Sequence, residues 1–180
     1  EYGLFYEPGS DTNIYGVVRY IIPGSPAASQ NISRGDIFTG INGQELTASN
    51  YRNLLASSTI TFNLGSFDGT TVTSSSEAVT VSRAAVTENP VFFKTVFVRG
   101  SKRIAYLIYN GFTANFDTQL NAAFAELKAQ NPTDLILDLR YNSGGSVLTA
   151  SRLAAMITGQ FTGQLFAKYQ YNSDIQAQFE

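Results

Sequence analysis

Residues 135–149 read LILDLRYNSGGSVLT. An apolar run, Leu135 to Leu137, stops at Asp138 and Arg140, passes Asn142 and the paired glycines Gly144 and Gly145, and continues into a segment with helical spacing. Three arrangements fit such a bend. It can cradle a phosphate, present backbone N–H groups to a developing oxyanion, or serve as a plain strand-to-helix turn.

Outward from this stretch the pattern is strand, helix, strand, helix. VFFKTVFV (91–98) and RIAYLIY (103–109) flank Gly100-Ser101 and read as an antiparallel hairpin. A helix near 115–129 follows, with Phe116, Leu120, Phe124 and Leu127 along one side, and Asn131-Pro132 ends it. Residues 134–140 form a strand apolar enough to be covered on both faces. Residues 146–158 form a second helix with Val147, Ala150, Leu153, Ala154 and Ile157 on its apolar side. This βαβα order predicts strands 103–109 and 134–140 in one sheet, joined by a right-handed crossover.

The first half reads differently. IYGVVRYII (14–22) is a strand, followed by PGSPAAS, where Ser25 caps a short helix that starts at Pro26. Gly35-Asp36 is a turn, 37–41 a strand, Asn42-Gly43 a type I′ hairpin and 44–46 its return. Thr47 caps a helix over 48–57 with Tyr51, Leu54 and Leu55 facing inward. From 59 to 83 the pattern is β: TITFNLGSF, an Asp68-Gly69 turn, TTVT, a serine-rich link and EAVTVSR. AAVTENP (84–90) is the boundary, giving domains at 1–86 and 87–180.

Composition narrows the chemistry. The chain has 180 residues, 43% of them apolar, with 14% charged and a net charge of −2, so it lacks the basic surplus that nucleic-acid binding needs. It has no cysteine and no histidine, which removes disulfides, thiol nucleophiles and the usual zinc ligands and general base. No cofactor or metal is expected. No apolar stretch nears the roughly 18 residues that span a bilayer. The chain opens on Glu1, and a leader, anchor or longer N-terminal region is expected to have preceded it.

The bend at 138–145 fits neither phosphate-loop spacing nor G-x-S-x-G. Asp138, Leu139, Arg140, Asn142, Gly144 and Gly145 fill every position of a D-L-R-x-N-x-G-G run, and with RIAYLIYNGF and the helix between them this resembles the opening of the catalytic domain of C-terminal processing (tail-specific) peptidases. The resemblance covers about residues 91–160. It implies a serine peptidase with a Ser-Lys dyad, in which a buried lysine of depressed pKa activates the hydroxyl. It also implies that Gly144 or Gly145 supplies a backbone oxyanion donor, while Asp138, Arg140 and Asn142 brace the loop.

GSPAASQNISRGDIFTGINGQEL resembles a PDZ domain of the bacterial, protease-associated kind, over about residues 1–83. That resemblance places Glu1, Tyr2, Gly3 and Leu4 in the loop that takes a peptide's terminal carboxylate, with Leu4 to Glu7 as the receiving edge and the 48–57 helix as the groove wall; the peptide-binding residues are then Tyr2, Gly3, Leu4 and Phe5. Glu1 stands where the family has a glycine.

The expected fold class is therefore α+β: a PDZ-like β-barrel or sandwich module with short helices, then a βαβα fragment of a mixed-sheet protease core. Nothing after Gly145 resembles the family's serine motif. Ser143, Ser146 and Ser151 read as turn, N-cap and helix-surface residues and Lys168 as a solvated charge, so the dyad is expected beyond Glu180 and this segment inactive alone. The 159–180 tail is expected to pack against later parts of that domain. The implied partners are polypeptides recognised through their C-termini, in the bacterial periplasm or cell envelope, with a lipid anchor as one form of the precursor. The alternatives are a non-catalytic PDZ-type peptide-binding protein with a degenerate protease platform and a tyrosine-rich polysaccharide-binding envelope protein.

Overall fold

Ala105, Leu107 and Tyr109 alternate along one face of a strand and are almost completely buried, while Tyr106 and Ile108 between them are not. That period of two organises the second half of the chain. In the computed structural model, which describes residues 1–165, 167–176 and 178, the chain divides into two compact units, Glu1–Glu88 and Asn89–Glu180.

In unit 1, strands β1 (Tyr2–Tyr6), β2 (Ile14–Val18), β3 (Ile37–Ile41), β5 (Thr59–Phe67) and β6 (Val72–Ser82) form an antiparallel sheet ordered β1-β2-β3-β5-β6, with β4 (Gln44–Glu45) paired to β3. Asn42 and Gly43 take φ of 54° and 77°, the double positive φ of a type I′ turn, which sets the β3–β4 hairpin. Phe38, Ile41, Leu46 and Leu55 close the core, and each such side chain contributes about 1.5–3 kcal/mol by leaving water.

Several local expectations are corrected here. The 14–22 strand stops at Val18, after which the Arg19 N–H donates to Glu1 O and the chain turns at Ile22–Ser25. Pro26–Ser29 is a single 3-10 turn closed by backbone, Ala28 N–H to Ser25 O at 2.9 Å, and the Ser25 side chain makes no cap. The helix expected over 48–57 is only α1 (Tyr51–Leu54) and Thr47 does not cap it. Asn50 holds the position before it, and its side chain is spent on the preceding loop, accepting from Thr47 N–H at 2.8 Å and donating to Glu45 O at 2.9 Å. The serine-rich link is no break: Ser74, Ser75 and Ser76 lie inside β6, where a bulge opposite Leu64 absorbs them and Ser75 Oγ donates to Leu64 O.

In unit 2, β7 (Val91–Arg99) and β8 (Lys102–Tyr109) pair antiparallel around Gly100, and β9 (Asp134–Asp138) joins β8 in parallel. A 3-10 turn at Ala114–Phe116 leads into α2 (Asp117–Ala129), which buries Ala123 and packs Leu120 and Leu127 in one cluster with Ala105 and Leu107. α3 (Val147–Ile157) follows the glycine bend, and a short α4 (Ser173–Gln176) lies in the tail.

Two expectations fail in this unit for the same reason, a polar residue doing what periodicity cannot register. β9 is not covered on both faces: Ile136 is 50% exposed, and the strand ends at Asp138 because that carboxylate binds the backbone and side chain of Arg140. On α3 the buried face carries Thr149 and Leu153, while Val147 and Ile157 are exposed. In the 159–180 tail Phe161 and Leu165 are exposed, and Phe166, Ala177, Phe179 and Glu180 lie outside the described residues.

Candidate active site

The bend between β9 and α3 is built from side chains that tie it back to β8. Asp138, 9% exposed at the end of β9, accepts from Tyr106 Oη at 2.6 Å, from the Arg140 N–H at 3.1 Å and from Arg140 Nε and Nη2 at 3.0 and 2.5 Å. The Arg140 guanidinium holds this carboxyl well below the ordinary carboxylate range, against the opposing effect of burial and with help from Tyr106. In return Asp138 raises the pKa of Arg140, and its hydrogen bond raises that of Tyr106. The result is a fixed, charged, fully occupied carboxylate. It has no spare capacity to act as an acid or base.

Asn142 makes the second tie. Its Nδ2 donates to Tyr109 O at 3.0 Å, and its Oδ1 accepts from the Gly144 N–H at 2.8 Å. The third is backbone: Phe112 N–H donates to Gly144 O at 2.8 Å, Ser146 N–H donates to Phe112 O at 2.7 Å, and Phe112 and Gly145 form a parallel bridge. A β-carbon on Gly145 would fall 2.3 Å from Phe112 O, and its φ of +132° suits only glycine. This close approach explains the second glycine; the first is required by a φ of +99° alone, in open space.

α3 is then locked in place. Ser146 Oγ accepts from Thr149 N–H at 3.2 Å as an N-cap, and the buried Thr149 Oγ1 donates to Asp117 Oδ1 at 2.8 Å, the carboxylate that also pairs with Arg152. Of the two candidate oxyanion amides, Gly144 N–H is thus committed to Asn142. The Gly145 N–H, between two bonded neighbours, makes no hydrogen bond among the described residues.

Tyr106, Tyr109, Phe112, Asp117 and Thr149 all serve this bend, and the sequence reading named none of them for it. Tyr109 and Phe112 act through backbone atoms, which leave no residue-type signal. The Tyr106–Asp138 pair had one: both residues fall on the same face of adjacent strands once the parallel register of β8 and β9 is known.

The other predicted residues lie in unit 1. Tyr2, Gly3, Leu4 and Phe5 are not in a loop; they lie within β1, in register with Val18, Val17, Gly16 and Tyr15, because pairing with β2 starts at Tyr2. β1 is an outer strand of its sheet, so alternate backbone groups face an open edge. Beside it a cleft of about 260 Å³ is lined by Leu4, Phe5, Tyr6, Ala48 and Tyr51. Gly3 leaves room for the Arg19 guanidinium, 2.9 Å from where a β-carbon would stand. Among the described residues no cluster of three or more His, Cys, Asp or Glu is placed to hold a metal ion, and no helix is long and apolar enough to cross a membrane.

Residues 103–179, which include the whole bend, match the sequence model of peptidase family S41. The likeness to peptidase family S41 is carried by this region. A carboxyl-terminal-processing protease of Picosynechococcus sp. is 30% identical over 147 residues, covering 78% of this chain and 34% of that protein. The crystal structure of a putative S41 protease from Bacteroides fragilis superposes with a TM-score of 0.68 at 28% identity, over 86% of this chain and 43% of the other. A photosystem II D1 C-terminal processing protease shares the fold, with a TM-score of 0.55 at 24% identity over 87% of this chain and 43% of its own. The chain therefore spans about a third of the curated relative it matches and less than half of either solved chain. The mixed α+β architecture is that of S41 proteases, and the likeness extends beyond unit 2, since the 147 aligned residues exceed that unit's length.

Proposed function

We propose that the chain is part of a serine endopeptidase that cuts polypeptides near their C-termini, with a PDZ-like unit 1 that receives the substrate's C-terminus and a unit 2 that is the first portion of the catalytic domain. The Gly145 N–H carries this reading. In the S41 region it stands unbonded at the start of a helix, where the dipole favours negative charge, while every neighbouring backbone group is fixed. It is the oxyanion donor; Asp138, Arg140 and Asn142 hold it in place, and Gly144 supplies the turn.

Unit 1 supports the substrate half of the reading with an open β1 edge and a cleft walled by α1, a geometry suited to pairing an extended peptide with the strand while alternate side chains enter the cleft. The nucleophile and its lysine are not among the residues described. Ser146 Oγ is engaged as a cap, and Lys94 and Lys102 are ion-paired with Glu126 and Asp134. Export to the periplasm or cell envelope rests on the family resemblance alone.

The test compares the full-length gene product with this segment on peptides bearing free or blocked C-termini. Hydrolysis by the full-length protein alone, retained in Ser146→Ala, is expected. Hydrolysis by the isolated segment that Ser146→Ala abolishes would overturn the assignment. The engagement of Ser146 Oγ as a cap also favours a second reading, a PDZ-type peptide-binding protein on a degenerate protease platform. Peptide binding without hydrolysis by the full-length protein would select it.

A further inference from the structure

One short segment of unit 2, from Phe112 to Asp117, grips the bend before α3 twice. At its start the Phe112 N–H donates to Gly144 O at 2.8 Å. A peptide unit is planar and trans, so the Gly145 N–H, which shares that plane with Gly144 O, points away from Phe112. At its end Asp117, in the first turn of α2, accepts through Oδ1 from the Oγ1 of the fully buried Thr149 at 2.8 Å and pairs through Oδ2 with Arg152. Thr149 N–H in turn donates to Ser146 Oγ at 3.2 Å, and Ser146 N–H to Phe112 O at 2.7 Å. The first grip is made by backbone; the second depends on two side chains. Both are needed because the peptide unit between Gly144 and Gly145, each at positive φ, is not held by side-chain sterics.

We infer that Asp117 and Thr149 are positioning residues for the oxyanion donor: by fixing the first turn of α3 they keep the Gly145 N–H aimed at the place where a substrate's carbonyl oxygen gains charge. The inference rests on the reading of unit 2 as the first portion of a catalytic domain. It adds two residues that lie outside the 138–145 run and act through the start of the helix. Neither is free for proton transfer, since both oxygens of the Asp117 carboxylate are occupied and the Thr149 hydroxyl is enclosed. Their effect is geometric. An oxyanion donor contributes by being oriented before the reaction begins, so a loosened α3 costs transition-state stabilisation without costing substrate affinity. Removing such a donor outright lowers turnover about 10²–10³-fold, and misaiming one that remains should cost less, about tenfold. Arg152 holds the second oxygen of Asp117, which leaves Oδ1 turned toward Thr149.

The experiment is steady-state hydrolysis of a peptide by the full-length gene product, well below the melting temperature of each variant. Inhibition by an aldehyde of the same sequence up to the scissile residue is measured alongside, since its adduct with a serine hydroxyl puts an oxygen in the oxyanion position. Thr149→Val is expected to lower kcat about tenfold with KM unchanged and to weaken the aldehyde by a like factor. Thr149→Ser, which keeps the hydroxyl, should stay within about twofold of the parent. Asp117→Asn keeps an acceptor for Thr149 and gives up the charge facing Arg152; a fall in kcat of about threefold is expected, and this variant decides the matter should Thr149→Val fail to fold. A purely structural pair would lower the melting temperature and the amount of folded protein, leaving kcat per folded molecule and aldehyde affinity as they were. Unchanged kcat in both variants, a loss confined to KM, or a loss that Thr149→Ser does not rescue overturns the inference while leaving the chain part of a peptidase. No hydrolysis by the parent protein overturns the reading beneath it as well.

Discussion

The Tyr106 hydroxyl donates to the Asp138 carboxylate at 2.6 Å between the adjacent parallel strands β8 and β9, on the sheet face opposite Ala105 and Leu107. Sequence places these residues 32 positions apart. Their contact anchors the end of β9 at the point where the chain bends toward the Gly145 amide.

That contact gives unit 2 a pH signature. Asp138 has a depressed folded-state pKa, so its contribution is complete above the unfolded value near 3.9 and is lost as pH falls through the folded value. Tyr106 has a raised one, so its contribution is complete below about pH 10 and is lost as pH rises through the folded value. Chemical denaturation from pH 2 to 11 should show a plateau with falls below about pH 4 and above about pH 10. Asp138→Asn should flatten the acid fall, and Tyr106→Phe should lower the plateau by about 0.5–1.5 kcal/mol.

The two glycines should respond unequally. Gly144→Ala meets only the backbone penalty of a positive φ, about 1–2 kcal/mol. Gly145→Ala adds a clash with the Phe112 backbone and should cost clearly more, enough to move the loop. Paired urea melts give the ranking, and the opposite order would show that the bend is looser than described.

Asn142→Asp keeps the acceptor for Gly144 N–H but turns an oxygen toward Tyr109 O in place of the donor. A loss of about 1–3 kcal/mol is expected, larger near neutral pH than at pH 3, where the new carboxyl can protonate and donate.

Thr149→Val removes the hydroxyl that Asp117 accepts from and leaves the shape intact. It should destabilise unit 2 by about 1–3 kcal/mol, and Ser146→Ala, which removes only the cap, by about 1 kcal/mol. Hydrogen exchange at the first turn of α3 separates the two: both should raise it, while only Thr149→Val should also loosen α2 at Asp117.

Strands and helices with strong apolar periods were legible before any coordinates. Residues 37–41, the hairpin around Gly100-Ser101 and the α2 stripe of Leu120 and Leu127 fall where their patterns put them. The failures share a cause: a short polar side chain has several partners within reach, and sequence does not say which it takes. Asn50 rather than Thr47 precedes α1, the enclosed Ser25 Oγ caps no helix, and Thr149 turns inward toward Asp117. The glycine bend was legible as a motif, but not that Asn142 would occupy Gly144's N–H and leave Gly145's free. That depends on a backbone approach by Phe112, 33 residues away from Gly145 in the chain and invisible to local pattern.

The sheet of unit 1 has two unlike margins. β6 closes one side with serines, threonines, Glu77 and a bulge, features that discourage a foreign chain from docking there. β1 closes the other with Tyr2, Phe5 and Tyr6 all substantially exposed and no such guard. Only one margin of this sheet is therefore open to recruitment, and a protein at high concentration should self-associate through that margin before any other part of this sheet.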